Sequence, residues 1–202
     1  MPLLLLLVAF SALAQEVELS APWLTVYDPA GRPRWEVSLE RLVRTEDGWQ
    51  GEGVEVRLYW EGEEEFVLRA PSLSADKRGR RWKLSGNVTG EASGISLACE
   101  EAIWDEGLTL IELEARGEDL VLRTASASWT GGKVVELQDV WATTGGWEVE
   151  LTAATYTLDA SVLFGKEAYL VGHGFEIESD RLRLWTDEGR VELMGAHVVP
   201  RP

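Results

Sequence analysis

The stretch Trp82-Lys-Leu-Ser-Gly-Asn-Val88 decides the fold class, together with Ile95-Ser-Leu-Ala-Cys-Glu-Glu-Ala-Ile-Trp104 that follows it. Apolar and polar side chains alternate in both stretches, which is typical of a β-strand with one buried face and one solvent face. The same alternation recurs at 54–59, 147–153 and 175–178. We therefore predict an all-β protein.

Turn signals separate the alternating stretches at regular intervals. Segment 36–44 carries the strongest helical pattern, although it also fits a strand that begins at Trp35. Twelve or more short strands with this spacing indicate an antiparallel sandwich, jelly roll or open barrel. The turns are predicted at 28–31, 61–62, 77–79, 105–107, 131–132, 145–146 and 187–189.

An internal repeat runs through the chain. Its units begin near Phe66, Ile95, Leu120, Trp147 and Phe175, about every 25–30 residues, a spacing found for repeated supersecondary units. Each unit is an alternating strand, then a jog of small residues, then a further apolar or aromatic position. We predict a single domain over 15–202, built as a stacked two-sheet structure of strand–jog–strand units.

The alternation also predicts which side chains point inward. Two interpretations stay open for this set: a filled core between two sheets, or an interior groove that admits an apolar ligand. The predicted inward residues are Val54, Val56, Leu58, Phe66, Leu68, Trp82, Leu84, Val88, Ile95, Leu97, Ile111, Leu113, Leu120, Leu122, Trp147, Val149, Leu151, Phe175, Ile177, Val191 and Leu193.

Composition argues against several kinds of function. The net charge of −16 opposes binding to a nucleic-acid backbone. A single cysteine, Cys99, excludes an internal disulfide, and two histidines, His173 and His197, offer little for catalysis. The acidic run 61–65 fits either a calcium loop or a solvated hairpin tip. We expect no catalytic residue, cofactor or metal site.

The first fourteen residues are interpreted separately. The segment 3–13 is almost wholly apolar, and Ala12-Leu13-Ala14 fits a small-x-small cleavage site, so 1–14 resembles a secretory signal that lacks a basic start. The alternative is a buried first strand. Few amide and sulfur side chains and much arginine also fit a thermophilic host.

Several of these stretches resemble the LptA/LptC (OstA-like) family of periplasmic lipopolysaccharide-transport proteins. The resemblance rests on the opening Asp28-Pro-Ala-Gly-Arg-Pro-Arg-Trp35, on Gly53-Val-Glu-Val-Arg-Leu-Tyr59, and on the Leu-x-Gly-Asn-Val strand that ends at Val88. It extends over roughly 26–199 as a repeat style and is most specific over 54–104.

The family resemblance implies a folded-over, open-ended β jelly roll with a hydrophobic interior groove. It implies that the groove residues from Leu58 to Leu193 hold the acyl chains of a glycolipid or a lipopolysaccharide-like ligand. It further implies a periplasmic location and assembly with other jelly-roll components, or with itself, by strand addition at the first and last strands. We expect those edges at 23–27 or 35–39 and at 191–199.

Two features depart from the family pattern. The chain has a short, apparently cleavable segment where LptC relatives keep a membrane anchor, and its −16 charge opposes phosphorylated headgroups. Two other functions stay open: a structural or adhesive envelope protein with a solid core, and a carbohydrate-active module that uses the ten tryptophans and the surface acids.

Overall fold

The computed structural model describes residues 18–200, so the predicted signal segment 1–14 lies outside the described residues. Every regular element within 18–200 is a β-strand. The strands are β1 (Glu18–Ser20), β2 (Trp23–Tyr27), β3 (Pro33–Ser38), β4 (Arg41–Arg44), β5 (Gly48–Trp60), β6 (Glu63–Asp76), β7 (Arg81–Ala92), β8 (Ile95–Asp105), β9 (Leu108–Arg116), β10 (Val121–Trp129), β11 (Val134–Thr144), β12 (Trp147–Thr157), β13 (Val162–Gly172), β14 (Phe175–Trp185) and β15 (Arg190–Pro200).

All fifteen strands belong to one antiparallel sheet that does not close on itself. From β5 to β15 each strand pairs with the next one along the chain, and short turns connect them at every predicted turn. β3 and β4 pair with the two halves of β5, while β2 and β1 pair with β3 and β4. Segment 36–44 is therefore extended, and β1, β2 and β15 form the sheet edges, which confirms the edges expected at 23–27 and 191–199.

A column of left-handed backbone residues crosses the middle of the sheet. Every second long strand carries a positive φ at its centre, a conformation that non-glycine residues adopt at a cost. At these positions two consecutive side chains point outward, so the alternation restarts one residue late on the far side. The kink column consists of Gly53, Asn87, Glu112, Asp139, Glu167 and Gly195.

The kink column divides every long strand into two halves. We name the halves around the β5–β6 hairpin and its equivalents leaf 1 (54–70, 88–99, 113–124, 140–151, 168–179). The opposite halves form leaf 2 (72–85, 102–111, 126–138, 154–165, 182–194). The predicted small-residue jogs of the repeat fall between the leaves, at Pro71 in β6 and Ala125 in β10, for example.

The two leaves fold over and face each other. Phe66 of β6 and Trp129 of β10 are four strand spacings apart, about 19 Å in a flat sheet with strands ~4.8 Å apart. Their ring centroids lie 5.1 Å apart. Trp35 of β3 likewise meets Trp82 of β7 at 6.3 Å. A single sheet thus supplies both layers of the predicted two-sheet structure.

The core lies between the leaves and contains most of the predicted inward residues. Leu58, Leu68, Leu84 and Val149 are fully buried, while Trp147, Val191 and Leu193 pack against the core as partly buried side chains. Cys99 is also buried there. The alternation therefore identifies the inner face correctly along most of the sheet.

Three predictions need correction. Ile111 points outward, since it pairs with the outward residues Glu101 and Ser126, and Leu110 takes the inward place. The positive φ of Glu112 reverses the alternation immediately after Ile111. Phe175 has the inward phase but is 43% exposed at the hairpin tip. The Gly-x-Gly pattern at 51–53 predicts a further turn, but it lies inside β5 at the kink.

The kink column predicts a local sensitivity to β-branched residues. Replacing Asp139 by valine puts a branched side chain at a φ of +52°, which costs about 1–2 kcal/mol of folding free energy. Urea unfolding measures the change. Glu136→Val is the matched control, because Glu136 is exposed on the same strand; its stability should stay the same or rise. Equal losses for both variants would contradict the role of the column.

Candidate functional site

The interior between the leaves, here called the slot, contains an apolar cavity. Its volume is about 50 Å³, enough for one or two water-sized groups. It lies where the tips of leaf 1 face the ends of β11 and β12 in leaf 2. The lining is apolar except for one tyrosine and consists of Phe66, Ala92, Ile95, Leu97, Leu110, Leu113, Ala115, Leu120, Leu122, Val135, Leu137, Tyr156 and Leu158.

Only some of the predicted groove residues line the cavity. Phe66, Ile95, Leu97, Leu113, Leu120 and Leu122 line it. The remaining predicted groove residues that point inward fill the core on either side, where Leu58, Leu84 and Val149, for example, are fully buried. The slot is thus mostly filled in this conformation, with one apolar gap toward the free margin of the leaves.

The free margin of the slot, which we call the rim, is closed by side chains. Trp60 of leaf 1 packs on Gly131 of leaf 2, where any Cβ atom would overlap the tryptophan ring. Next to this contact, the Glu65 carboxylate pairs with the Lys133 ammonium group. Among residues 18–200, no backbone–backbone hydrogen bond joins the leaves across the rim.

The Glu65–Lys133 pair is unusual because one partner is buried. Glu65 is 4% exposed and lies at the start of β6, whereas Lys133 sits in the turn before β11 and also reaches Glu63 at 3.5 Å. Hydrogen bonding to Glu65 raises the pKa of Lys133. This pair therefore ties the two leaves together as long as the lysine is protonated.

A second pocket of about 180 Å³, with both aromatic and charged residues in its lining, opens at the same rim, closer to the β2 edge. The rings of Trp60, Trp104 and Trp129 form its walls, and Arg32 and Arg34 line its entrance. Arg34 lies over the Trp104 ring at 5.2 Å and donates from Nη2 to the carbonyl of Glu106 at 2.9 Å. The Phe66–Trp129 contact separates this pocket from the apolar cavity.

Neither of the two histidines lines the apolar cavity or the tryptophan pocket. His173 sits in the β13–β14 turn, where its Nε2 contacts the Gly145 carbonyl at 2.9 Å and its ring packs on Trp147. His197 lies on the edge strand β15. Burial raises the pKa of Cys99 to about 11, so its thiol is protonated at neutral pH.

No group of three or more metal-binding side chains is found within 18–200. In the acidic run 61–65, Glu61 and Gly62 form the hairpin tip, and Glu65 is engaged by Lys133. No helix in the described part of the chain is long and apolar enough to cross a membrane.

The sheet edges leave inner-face side chains uncovered. Leu24 on β2 pairs with the buried Val37 and so has the inward phase, yet it is 53% exposed. Val198 on β15 pairs with the buried Ile177 and is 51% exposed. The slot is therefore open at both ends of the sheet, with apolar side chains and unpaired strand edges side by side.

Comparisons with known proteins give little further information. No protein-family model matches the sequence, and no curated protein matches it. Among solved structures, the chain is similar to LptH from Pseudomonas aeruginosa, described as the LptA homologous periplasmic component of the conserved lipopolysaccharide transport device. The identity is 12%, the match covers 68% of this chain and 95% of that one, and the TM-score is 0.29. At this level the similarity carries no conclusion about function.

Sequence reasoning missed the side chains that close the rim. Lys133, Gly131 and Arg34 lie in turns or beside them, far along the chain from their partners Glu65, Trp60 and Glu106. Nothing in a period-two pattern shows which turn of leaf 2 meets which turn of leaf 1. The Gly131-Gly132 turn itself was predicted, but not its contact.

The Glu65–Lys133 pair predicts a pH-dependent contribution to stability. Lys133→Met leaves the buried carboxylate unpaired, so the variant should unfold at lower urea than the wild-type protein at pH 7. Because the pKa of Lys133 is raised in the folded state, the benefit is full below the ordinary lysine value of 10.5 and is lost as the pH rises further.

Urea midpoints at pH 7 and pH 11.5 measure this effect. The gap between wild-type and Lys133→Met protein should shrink at the higher pH. Lys166→Met is the control, since Lys166 is exposed on β13 and outside the rim. Its urea midpoint should differ little from that of the wild type, and by the same amount at both pH values. A Lys133→Met gap of the same size at both pH values would contradict the proposed tie between the leaves.

Proposed function

We propose that this protein binds the acyl chains of a glycolipid between its two leaves and acts as a periplasmic bridge component of a lipid-export system. The observation that carries the proposal is the apolar cavity at the rim, which opens between leaves that no backbone hydrogen bond joins there. The resemblance of 54–104 to the LptA/LptC family supports the same function.

An apolar slot binds a lipid without any polar motif. Each buried methylene of an acyl chain contributes about 0.8 kcal/mol, so a chain of ordinary length binds by burial alone. Such a chain does not fit a cavity of about 50 Å³. The leaves must therefore separate at the rim as the chain enters.

The fold allows this separation at limited cost. The two leaves are held together covalently and by hydrogen bonds along the kink column, while the rim depends on side-chain contacts such as Trp60 on Gly131 and Glu65 with Lys133. Opening the rim breaks these contacts and leaves the ladders within each leaf intact. The bound acyl chain then replaces the apolar contacts that the leaves lose.

The exposed edges support assembly into a longer structure. A partner strand that adds to β15 would cover Val198 and continue both the sheet and the slot. The β2 edge presents the equivalent surface at Leu24. End-to-end assembly, with another copy or with a related component, would thus extend one slot from unit to unit.

The rival function is a structural envelope protein with a solid core. The small volume of the cavity favours it, because a core with a gap of this size has no need of a ligand. The two functions differ in one measurable property, which is the binding of a lipid between the leaves.

Filling the cavity separates these two functions. Ala115 is buried against the cavity, so Ala115→Leu should occupy the space that the chain enters and weaken lipid binding by about tenfold or more, while the fold stays intact. Native mass spectrometry of protein purified with envelope lipids, followed by lipid extraction, measures the occupancy.

The matched control is Ala98→Leu, because Ala98 is exposed on the outer face of β8, where it pairs with Glu114. Its lipid occupancy should equal that of the wild type. If wild-type protein carries no lipid, or if Ala115→Leu carries as much lipid as Ala98→Leu, the solid-core function is correct.

Edge-to-edge assembly has its own test. Sedimentation at increasing concentration should show association of the wild-type chain, and Val198→Lys should weaken it by about tenfold, since a charge at an inner-face position of an edge strand, which a partner would cover, opposes strand addition. The control is His197→Lys, on the outer face of the same strand. A strict monomer at all concentrations would contradict self-assembly.

A further inference from the structure

We infer that the tryptophan-walled pocket at the rim binds the anionic headgroup of the amphiphile whose chain enters the slot, with Arg34 as the recognising residue. The inference rests on the proposed function and adds the chemical class of the headgroup. It also explains how a protein of net charge −16, which as a whole repels an anionic lipid, binds one locally.

The pocket has the size and position that a headgroup needs. Its volume is about 180 Å³, more than three times that of the apolar cavity. Phe66 lines the cavity and Trp129 lines the pocket, and their ring centroids lie 5.1 Å apart. An amphiphile that passes this pair would place its polar end among the tryptophans and its chain between the leaves.

The charge of the pocket differs from that of the protein as a whole. Arg32 is neutralised by Asp28, with the Arg32 Nε 2.9 Å from the carboxylate. The same carboxylate accepts the backbone N–H groups of Ala30 and Arg32, and these bonds hold the pKa of Asp28 below its usual range. The Asp28 carboxylate is thus already occupied by Arg32 and by the backbone of the turn that follows it. Glu61 is the other acid of the lining and lies at the exposed hairpin tip.

Arg34 is the cation that remains for a ligand. Within 18–200, no carboxylate lies at ion-pair distance from its guanidinium group, although most arginines of the protein have such a partner. Its contacts are the Trp104 ring and the Glu106 carbonyl, which fix the plane of the guanidinium at the pocket entrance. A guanidinium has five N–H donors and binds phosphate or carboxylate oxygens in pairs.

The surrounding rings strengthen this interaction. Trp104 and Trp129 are buried, and Trp82 stacks on Trp104 with centroids 5.8 Å apart, so the walls are rigid and apolar. A charge pair at such a partly desolvated site is screened less by water than one on the open surface. The site therefore favours a single anionic group attached to an apolar chain.

The test compares two amphiphiles with the same chain, both at monomeric concentrations. Isothermal titration calorimetry measures the binding of dodecyl phosphate, dodecyl maltoside and inorganic phosphate to the full chain. Wild-type protein should bind dodecyl phosphate more tightly than dodecyl maltoside. Arg34→Gln should lower the affinity for dodecyl phosphate by about tenfold and keep the affinity for dodecyl maltoside within about twofold of the wild-type value.

Arg44→Gln is the matched control, since Arg44 also lies over a tryptophan, Trp49, at 5.8 Å but outside the pocket. It should bind both amphiphiles as the wild type does. Circular dichroism of both variants shows that the fold is kept.

Several results would overturn the inference. Arg34→Gln could bind dodecyl phosphate as tightly as wild-type protein, or could lose both amphiphiles equally, which would make Arg34 a structural residue. Inorganic phosphate could bind as tightly as dodecyl phosphate, which would make this a site for the free anion. If wild-type protein binds dodecyl maltoside without preferring the phosphate, only the headgroup inference fails; if it binds neither amphiphile, the proposed function itself fails.

Discussion

The structure depends on one constraint: a large sheet with a single apolar face must cover that face with itself. Within 18–200 there is no helix to pack on the sheet, and all strands belong to one sheet. Each long strand therefore kinks at its centre, and its two halves bury their inner side chains against each other. The kink column, the core and a rim closed only by side chains are consequences of this arrangement.

The same constraint makes the two margins of the slot different. At the kink column the leaves are joined by every strand, so they cannot separate there. At the rim they meet through the side chains of turns, and the apolar cavity lies directly behind these contacts. A fold of this kind combines a stable hinge with a margin that can admit a chain, which is the physical basis of the proposed function.

The sequence predicted the class of fold because period two is a local property. Trp82-Lys-Leu-Ser and the repeat near Trp147 each show the inner face of a strand within a few residues. The jogs were visible as small residues, but the reversal of phase was not. The alternation predicts an inward Ile111, because nothing in the neighbouring sequence indicates that Glu112 takes a left-handed conformation.

Burial at the ends of the sheet, and contacts across the rim, depend on what lies opposite in space. Phe175 has the phase of a core residue and is exposed because it lies at a hairpin tip. The pairing of Glu65 with Lys133 joins residues 68 positions apart in sequence. Such contacts follow from the twist of the whole sheet, which no single repeat encodes, and the candidate site was accordingly predicted less well than the fold.

The outer face explains how an acidic protein tolerates its charge. Glu55 lies between Arg57 and Arg69, and Glu114 lies between Arg116 and Arg123, in equivalent positions two repeats apart. These neighbours lower the pKa of both carboxyl groups, so they stay ionised and contribute to stability above their ordinary pKa and less as the pH falls.

The most direct test of the account is the distance between the leaves with and without lipid. Nitroxide labels at Ser96 and Glu136, which are exposed on the outer faces of opposite leaves next to the cavity, report this distance by pulsed electron resonance once Cys99 is replaced by alanine. The account predicts that a bound acyl lipid lengthens the distance by several ångströms, while a label pair within leaf 1, at Ser96 and Glu148, stays unchanged. An unchanged distance between Ser96 and Glu136 with lipid bound would contradict the claim that the acyl chain enters between the leaves.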